Sequence, residues 1–189
     1  TLGAAALHTS LLAALMGTII LMLYMIFVYR GLGVVADIAL FTYAMIFFAL
    51  LKLPLLLVTK NYVVLTLAGM AGIILSIGIA VDANVLVFER MKGELRKGRP
   101  FKSALESSFK YAWPAIRDSN IASIITCAIL FLIGSSIVRG FAVTLGMGVL
   151  LSLFSAVYVT RWLLRKVASM PISNNTNMFV SMPKTEVIQ

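Results

Sequence analysis

The sequence predicts an all-α integral membrane protein, with five transmembrane helices and a cytoplasmic amphipathic interfacial helix. Three observations carry that prediction. Of 189 residues, 61% are hydrophobic and only 12% charged, against about 45–50% and about 25% in soluble domains. Five stretches approach or exceed the roughly 20 mostly apolar residues needed to cross a bilayer. The 16 Lys+Arg outnumber 7 Asp+Glu and fall unevenly between alternate connections, as the positive-inside rule would arrange them. One cysteine, 13 glycines and 5 prolines exclude a disulfide scaffold and a collagen-like fibre.

In chain order, residues 1–9 form an extracytoplasmic lead-in and residues 10–88 hold three spans. The first is Ser10–Tyr29, ended by Arg30-Gly31-Leu32-Gly33. The second is Val34–Leu51, ended by Lys52-Leu53-Pro54, with Asp37 near its start where the helix dipole favours an acid. The third, Val63–Phe88, is the longest and contains Asp82. Residues 89–119 form the one extended polar segment, with bases at Arg90, Lys92, Arg96, Lys97, Arg99, Lys102, Lys110 and Arg117. Pro100 there suits a first helical turn. Phe101, Leu105, Phe109 and Trp113 recur every four residues as an apolar stripe, while Lys102, Glu106 and Lys110 offer i,i+4 pairing. Together they predict a helix lying in the membrane interface. The fourth and fifth spans, Ile121–Val138 and Phe141–Val159, are separated only by Arg139-Gly140, so residues 120–160 form an antiparallel hairpin. Residues 161–189 are expected to form a cytoplasmic tail, without periodicity beyond Val167.

Counting bases orients the bundle. With the Glu89–Ser119 segment in the cytoplasm, that side holds its eight bases together with Arg30, Arg161, Arg165, Lys166 and Lys184. The other side holds Lys52, Lys60 and Arg139. The C-terminus is then cytoplasmic and the N-terminus of this chain extracytoplasmic. No n-region precedes the first apolar run, so no cleavable signal peptide is expected. An outside N-terminus without one implies a further upstream span in a larger protein. The same rule accounts for the net charge of +9 without invoking nucleic acid.

Asp82 is the residue most suggestive of chemistry. It lies six positions before Phe88, about 9 Å from the end of its run at helical rise, too far for its short side chain to reach the interface. An acid held within hydrocarbon costs roughly 2.5–3.5 kcal/mol and is a functional candidate by default. It can accept a proton from one side of the membrane and release it to the other. At helical spacing Ala71, Leu75 and Gly78 share its face, while Gly69, Gly72, Ser76, Ala80 and Asn84 lie opposite. Small residues on both sides predict a central, closely packed helix, with Asn84 placed to hydrogen-bond across to another helix. Arg117, Asp118, Ser119 and Asn120 form a second polar cluster, with Asp118 and Ser119 read as N-cap residues. Asn120, Ser123 and Thr126 continue it as a stripe that lines a hydrated path to Asp82 or joins helices. Cys127 sits in an apolar run as a small packing residue. His8 is the lone histidine, which argues against a His-based metal site. No nucleophile triad, phosphate-binding glycine loop or zinc spacing is found, so neither a cofactor nor a metal is expected.

Val81-Asp82-Ala83-Asn84-Val85-Leu86-Val87-Phe88-Glu89-Arg90 closely resembles the signature of the SecD family of bacterial protein-export subunits. Leu67–Leu75 is similar to that family's glycine-rich run, and Glu94–Arg99 to its loop. Ala115–Ile121 resembles the start of its next helix, and Gly134–Gly146 its last hairpin. The likeness covers about residues 1–166. It implies half of an RND-superfamily helical bundle in the bacterial inner membrane, paired with a SecF-like partner subunit and assisting the SecYEG channel. It further implies that the proton-motive force drives preprotein translocation, with Asp82 as the relay acid. Arg117 occupies a place resembling the SecF relay arginine, which members of the SecD branch do not uniformly carry. Two alternatives stand beside this reading: an RND-type carrier of lipid or small molecules, and a membrane scaffold whose basic loop docks partners or anionic lipid.

Overall fold

The computed structural model describes residues 2–57 and 66–169, with side chains described for 6–52 and 66–169. Lys60, Lys184, residues 63–65 of the expected third span and the expected tail from Met170 onward lie outside the described residues. Six α-helices follow in order: α1 Leu2–Tyr29, α2 Gly31–Leu57, α3 Leu67–Arg96, α4 Phe101–Ile133, α5 Ser136–Phe154 and α6 Arg161–Ala168. A π-helical segment, Ser155–Thr160, joins α5 to α6. There is no strand among the described residues, and five helical stretches are long and apolar enough to cross a membrane: Ala6–Tyr29, Gly31–Lys52, Leu67–Arg96, Phe101–Ile133 and Ser136–Ala168. Helices are what such runs must form, because hydrocarbon offers the backbone no partner outside its own segment.

The connections follow from local chemistry. Arg30 takes a positive φ of 49° between α1 and α2. Thr66 caps α3 by accepting from the Gly69 amide at 3.0 Å. Between α3 and α4, Gly98 supplies the left-handed turn at φ 75°, and its amide donates to the Leu95 carbonyl at 3.0 Å. Glu94 closes that turn through Lys97 at 2.8 Å and Arg99 at 2.6 Å.

Three expectations are corrected here. The interfacial helix and the fourth span are one continuous helix, α4, rather than a surface helix followed by a separate span. Its apolar stripe does not lie against lipid: Phe101, Leu105 and Phe109 are buried in one cluster with Met91, Leu95 and Leu164, because α3 and α6 supply an apolar wall there. Only Trp113 of the stripe is exposed. Pro114 lies inside this helix, where it has no amide to donate to the Lys110 carbonyl; it faces outward while Ala112 and Ile116 hold the other face in the core.

Second, the hairpin turns at Gly134-Ser135 rather than at Arg139-Gly140, which lie in the first turns of α5. Gly134 is extended, and Arg139 Nε donates back to its carbonyl at 3.0 Å, so a side chain of α5 covers the open end of α4. Third, the chain after Val159 continues as helix α6 instead of entering a tail. Likewise α3 runs eight residues past Phe88, to Arg96.

α3 is the central helix, packing on α5, α4, α2 and α1. Its approach to α5 is close enough to require glycine. A Cβ on Gly72 would overlap the Thr144 hydroxyl, and one on Gly148 would overlap Ser76. The two ends of the bundle differ in charge. Lys92 donates to the Val28 carbonyl at 3.3 Å and stands 4.1 Å from the Tyr29 ring centre. This places Arg30 and the α3–α4 turn at one end. At the other, Thr144 Oγ1 donates to the Gly69 carbonyl at 3.1 Å, beside the Gly134 turn.

Candidate functional site

The site is built on α3. Asp82 is the sixteenth of its thirty residues, so the carboxyl group stands near mid-helix. Such a helix is about 45 Å long at 1.5 Å per residue and exceeds a hydrocarbon core of about 30 Å. Asp82 is exposed on the surface of this chain, on a face shared with Ala71, Leu75 and Gly78. Among the described residues no side chain hydrogen-bonds or ion-pairs with it. The expected division of faces therefore holds, while the face carrying Asp82 is open rather than packed within this chain.

The opposite face is buried and polar groups are paired along it. Asn84, 3% exposed, accepts from Thr160 Oγ1 at 2.8 Å. Thr160 belongs to the π-helical segment, and its hydroxyl also lies 3.4 Å from the Ser155 carbonyl five residues back. Widened turns of this kind recur where helices carry functional groups. Ser155 Oγ in turn lies 3.5 Å from the Ala39 carbonyl of α2. Further along α3, Tyr43 OH donates to Ser76 Oγ at 2.9 Å, and Ser76 donates to the Ile73 carbonyl at 2.7 Å. In a membrane such bonds join helices that hydrophobicity alone does not hold.

The second polar cluster divides. Asn120 is buried, donating through Nδ2 to the Ile116 carbonyl at 2.7 Å and facing Ser152 Oγ at 3.3 Å across to α5. Arg117 and Asp118 lie on the open surface and pair with each other at 2.9 Å. Asp118 and Ser119 are not N-caps, since α4 begins 17 residues before Asp118, at Phe101. Ser119 instead donates to the Ile116 carbonyl at 3.1 Å. Ser123 and Thr126 donate to the carbonyls four residues back, each at 3.0 Å, so these two members of the expected stripe are satisfied within their own helix while Asn120 meets α5. No hydrogen bond or ion pair among the described residues joins Asp82 to Arg117, Asp118 or Asn120.

Asp37, read as a dipole-favoured residue near a helix start, is buried in α2 with neither carboxyl oxygen hydrogen-bonded. Cys127 is buried in a small cluster with Leu145 and Val149, in keeping with a packing role. Thr160, Ser152 and Tyr43 were not singled out by sequence. Glu106, expected to pair along its own helix with Lys102 and Lys110, instead binds Arg161 and, at 2.9 Å, Arg165.

Residues 1–170 match the family described as protein export membrane protein SecD/SecF, C-terminal. A protein translocase subunit SecD from Thermobaculum terrenum is 51% identical over 180 residues, covering 93% of this chain and 33% of that protein. Another from Dictyoglomus turgidum is 46% identical over 172 residues, covering 91% of this chain and 41% of that one. Among solved structures, SecDF from Thermus thermophilus, a translocon-associated membrane protein, is similar with a TM-score of 0.78 at 37% identity, over 86% of this chain and 22% of that one. The chain thus spans 33% and 41% of the lengths of these two curated relatives.

Proposed function

The chain belongs to the SecD/SecF C-terminal family of protein export membrane proteins, and on that premise we propose that it forms the membrane part of a Sec translocase subunit in which proton movement through Asp82 drives late preprotein translocation. One observation carries this reading: a carboxyl group at mid-helix, with no partner among the described residues, on an open face lined by Ala71 and Gly78. An acid there is costly in lipid and small neighbours admit another helix closely. The helices of a SecF-like partner cover this face and complete the proton path, with Arg117 and Asp118 at its rim. One charge crossing the membrane is worth about 2.3 kcal/mol per 100 mV, enough to bias two packings of the bundle against each other.

The assembly sits in the bacterial inner membrane beside a SecYEG channel, with the end that carries Arg30 and the α3–α4 turn in the cytoplasm. The exposed bases Arg96, Lys102 and Lys110 face anionic headgroups there. The preprotein is gripped on the far side by parts of the longer relatives that this chain does not span. The test is Asp82→Asn in the full-length protein, scored for preprotein export with and without a proton gradient. Loss of the gradient-stimulated fraction, with gradient-independent export intact, is expected. Full retention of that fraction would show that Asp82 is not the relay.

A further inference from the structure

An open groove of about 830 Å³ runs between α2 and the π-helical segment with α6. Ile38, Tyr158 and Trp162 form its apolar walls, and all three are exposed. Arg161 and Arg165 line the same groove. Both guanidinium groups share a single carboxylate, Glu106, although each can donate five hydrogen bonds. Arg161 Nε is buried without an acceptor, while the Arg165 guanidinium stays more than half exposed. Lys166 adds a third cation, its Nζ 4.5 Å over the Trp162 ring. Three cations against one carboxylate leave a positive site at the end of an apolar channel.

That combination has a chemical counterpart in a membrane. An anionic headgroup satisfies spare guanidinium donors, an acyl chain covers the apolar wall, and Trp and Tyr favour the boundary between the two. We infer that the groove is a binding site for an anionic phospholipid. Its phosphodiester accepts from Arg161, Arg165 and Lys166, and one acyl chain lies along Ile38 and Tyr158. The site differs from the exposed bases of the α3–α4 turn, which present charge without walls, and it stands independently of the role given to Asp82.

The test places the purified chain, carrying Trp113→Phe so that Trp162 is the remaining tryptophan, in phosphatidylcholine vesicles. Brominated phosphatidylglycerol or brominated phosphatidylcholine is then titrated as quencher of Trp162 fluorescence. Preference for the anionic lipid by about fivefold per engaged base is expected. Arg165→Gln with Lys166→Gln should remove most of it, whereas Lys52→Gln, toward the other end of α2, should leave it. Equal quenching by the two lipids, or an unchanged preference in the double variant, overturns the assignment. So does no quenching by either lipid, which would mean that protein fills the groove. Native mass spectrometry of the unmodified chain, counting retained phosphatidylglycerol against phosphatidylcholine, decides the question should the double variant fail to fold.

Discussion

Asp82 and Asn84 are two residues apart, about 200° around α3 at 100° per residue, and they meet opposite surroundings. Asn84 is held by Thr160 within the protein, while Asp82 faces out of it. Thr160→Val removes the only donor among the described residues for the buried Asn84 oxygen, and an unsatisfied buried group costs about 1–3 kcal/mol. A lower melting temperature in detergent is expected, with Thr160→Ser restoring most of the loss; a melting curve unchanged by Thr160→Val would contradict the pairing. The two faces of α3 were legible in the sequence, because small residues recur at helical spacing around a lone acid. Thr160 was not, because its bond to Asn84 joins positions 76 residues apart, and helical periodicity carries no information about such partners. Asp118 and Ser119 misled for a related reason. Their side chains suit a helix start, but Phe101, Leu105 and Phe109 had already committed the preceding turns to helix by burying against α3 and α6.

Helix pairs set the next level. α3 and α5 meet at Gly72 and Gly148, each of which lies where a Cβ would overlap its neighbour. Gly148→Leu forces the two helices apart, and overpacking of this kind costs about 1–3 kcal/mol or more. Its melting temperature should fall well below that of Gly17→Leu, since Gly17 has nothing within 4 Å of a built Cβ; equal melting of the two variants would deny the close approach. The Glu106 pairs between α4 and α6 are half-exposed, and exposed ion pairs contribute only about 0.2–1 kcal/mol each. Glu106→Gln is therefore expected to lower the melting temperature slightly, with the shift shrinking at high salt. Spans were legible from apolar length alone, but the hairpin turn was not. Arg139-Gly140 looks like a break, yet Arg139 serves as a donor to the Gly134 carbonyl from within α5.

Across the whole molecule, charge divides by end. Arg30, the α3–α4 turn and the Glu106–Arg161–Arg165 cluster are set against the lightly charged Gly134 turn. The proposed orientation is checked with single cysteines in a Cys127→Ala background. Arg96→Cys should react with a membrane-impermeant maleimide only in inverted vesicles, and Ser135→Cys only in intact cells; the reverse pattern would invert the topology. The uneven distribution of bases was readable in the sequence because it is one-dimensional, whereas the burial of the α4 stripe needed the third dimension. The glycine contacts between α3 and α5 also constrain motion. With backbones this close and Asn84 tied to Thr160, rolling or sliding α3 alone would drive it into α5, so the two helices are expected to move as one blade. α5 passes through the π-helical segment into α6 without a break in helix. Under the proposed relay, a displacement begun at Asp82 would be delivered, as at the far arm of a lever, to Arg161 and Arg165 at the charged end of the bundle.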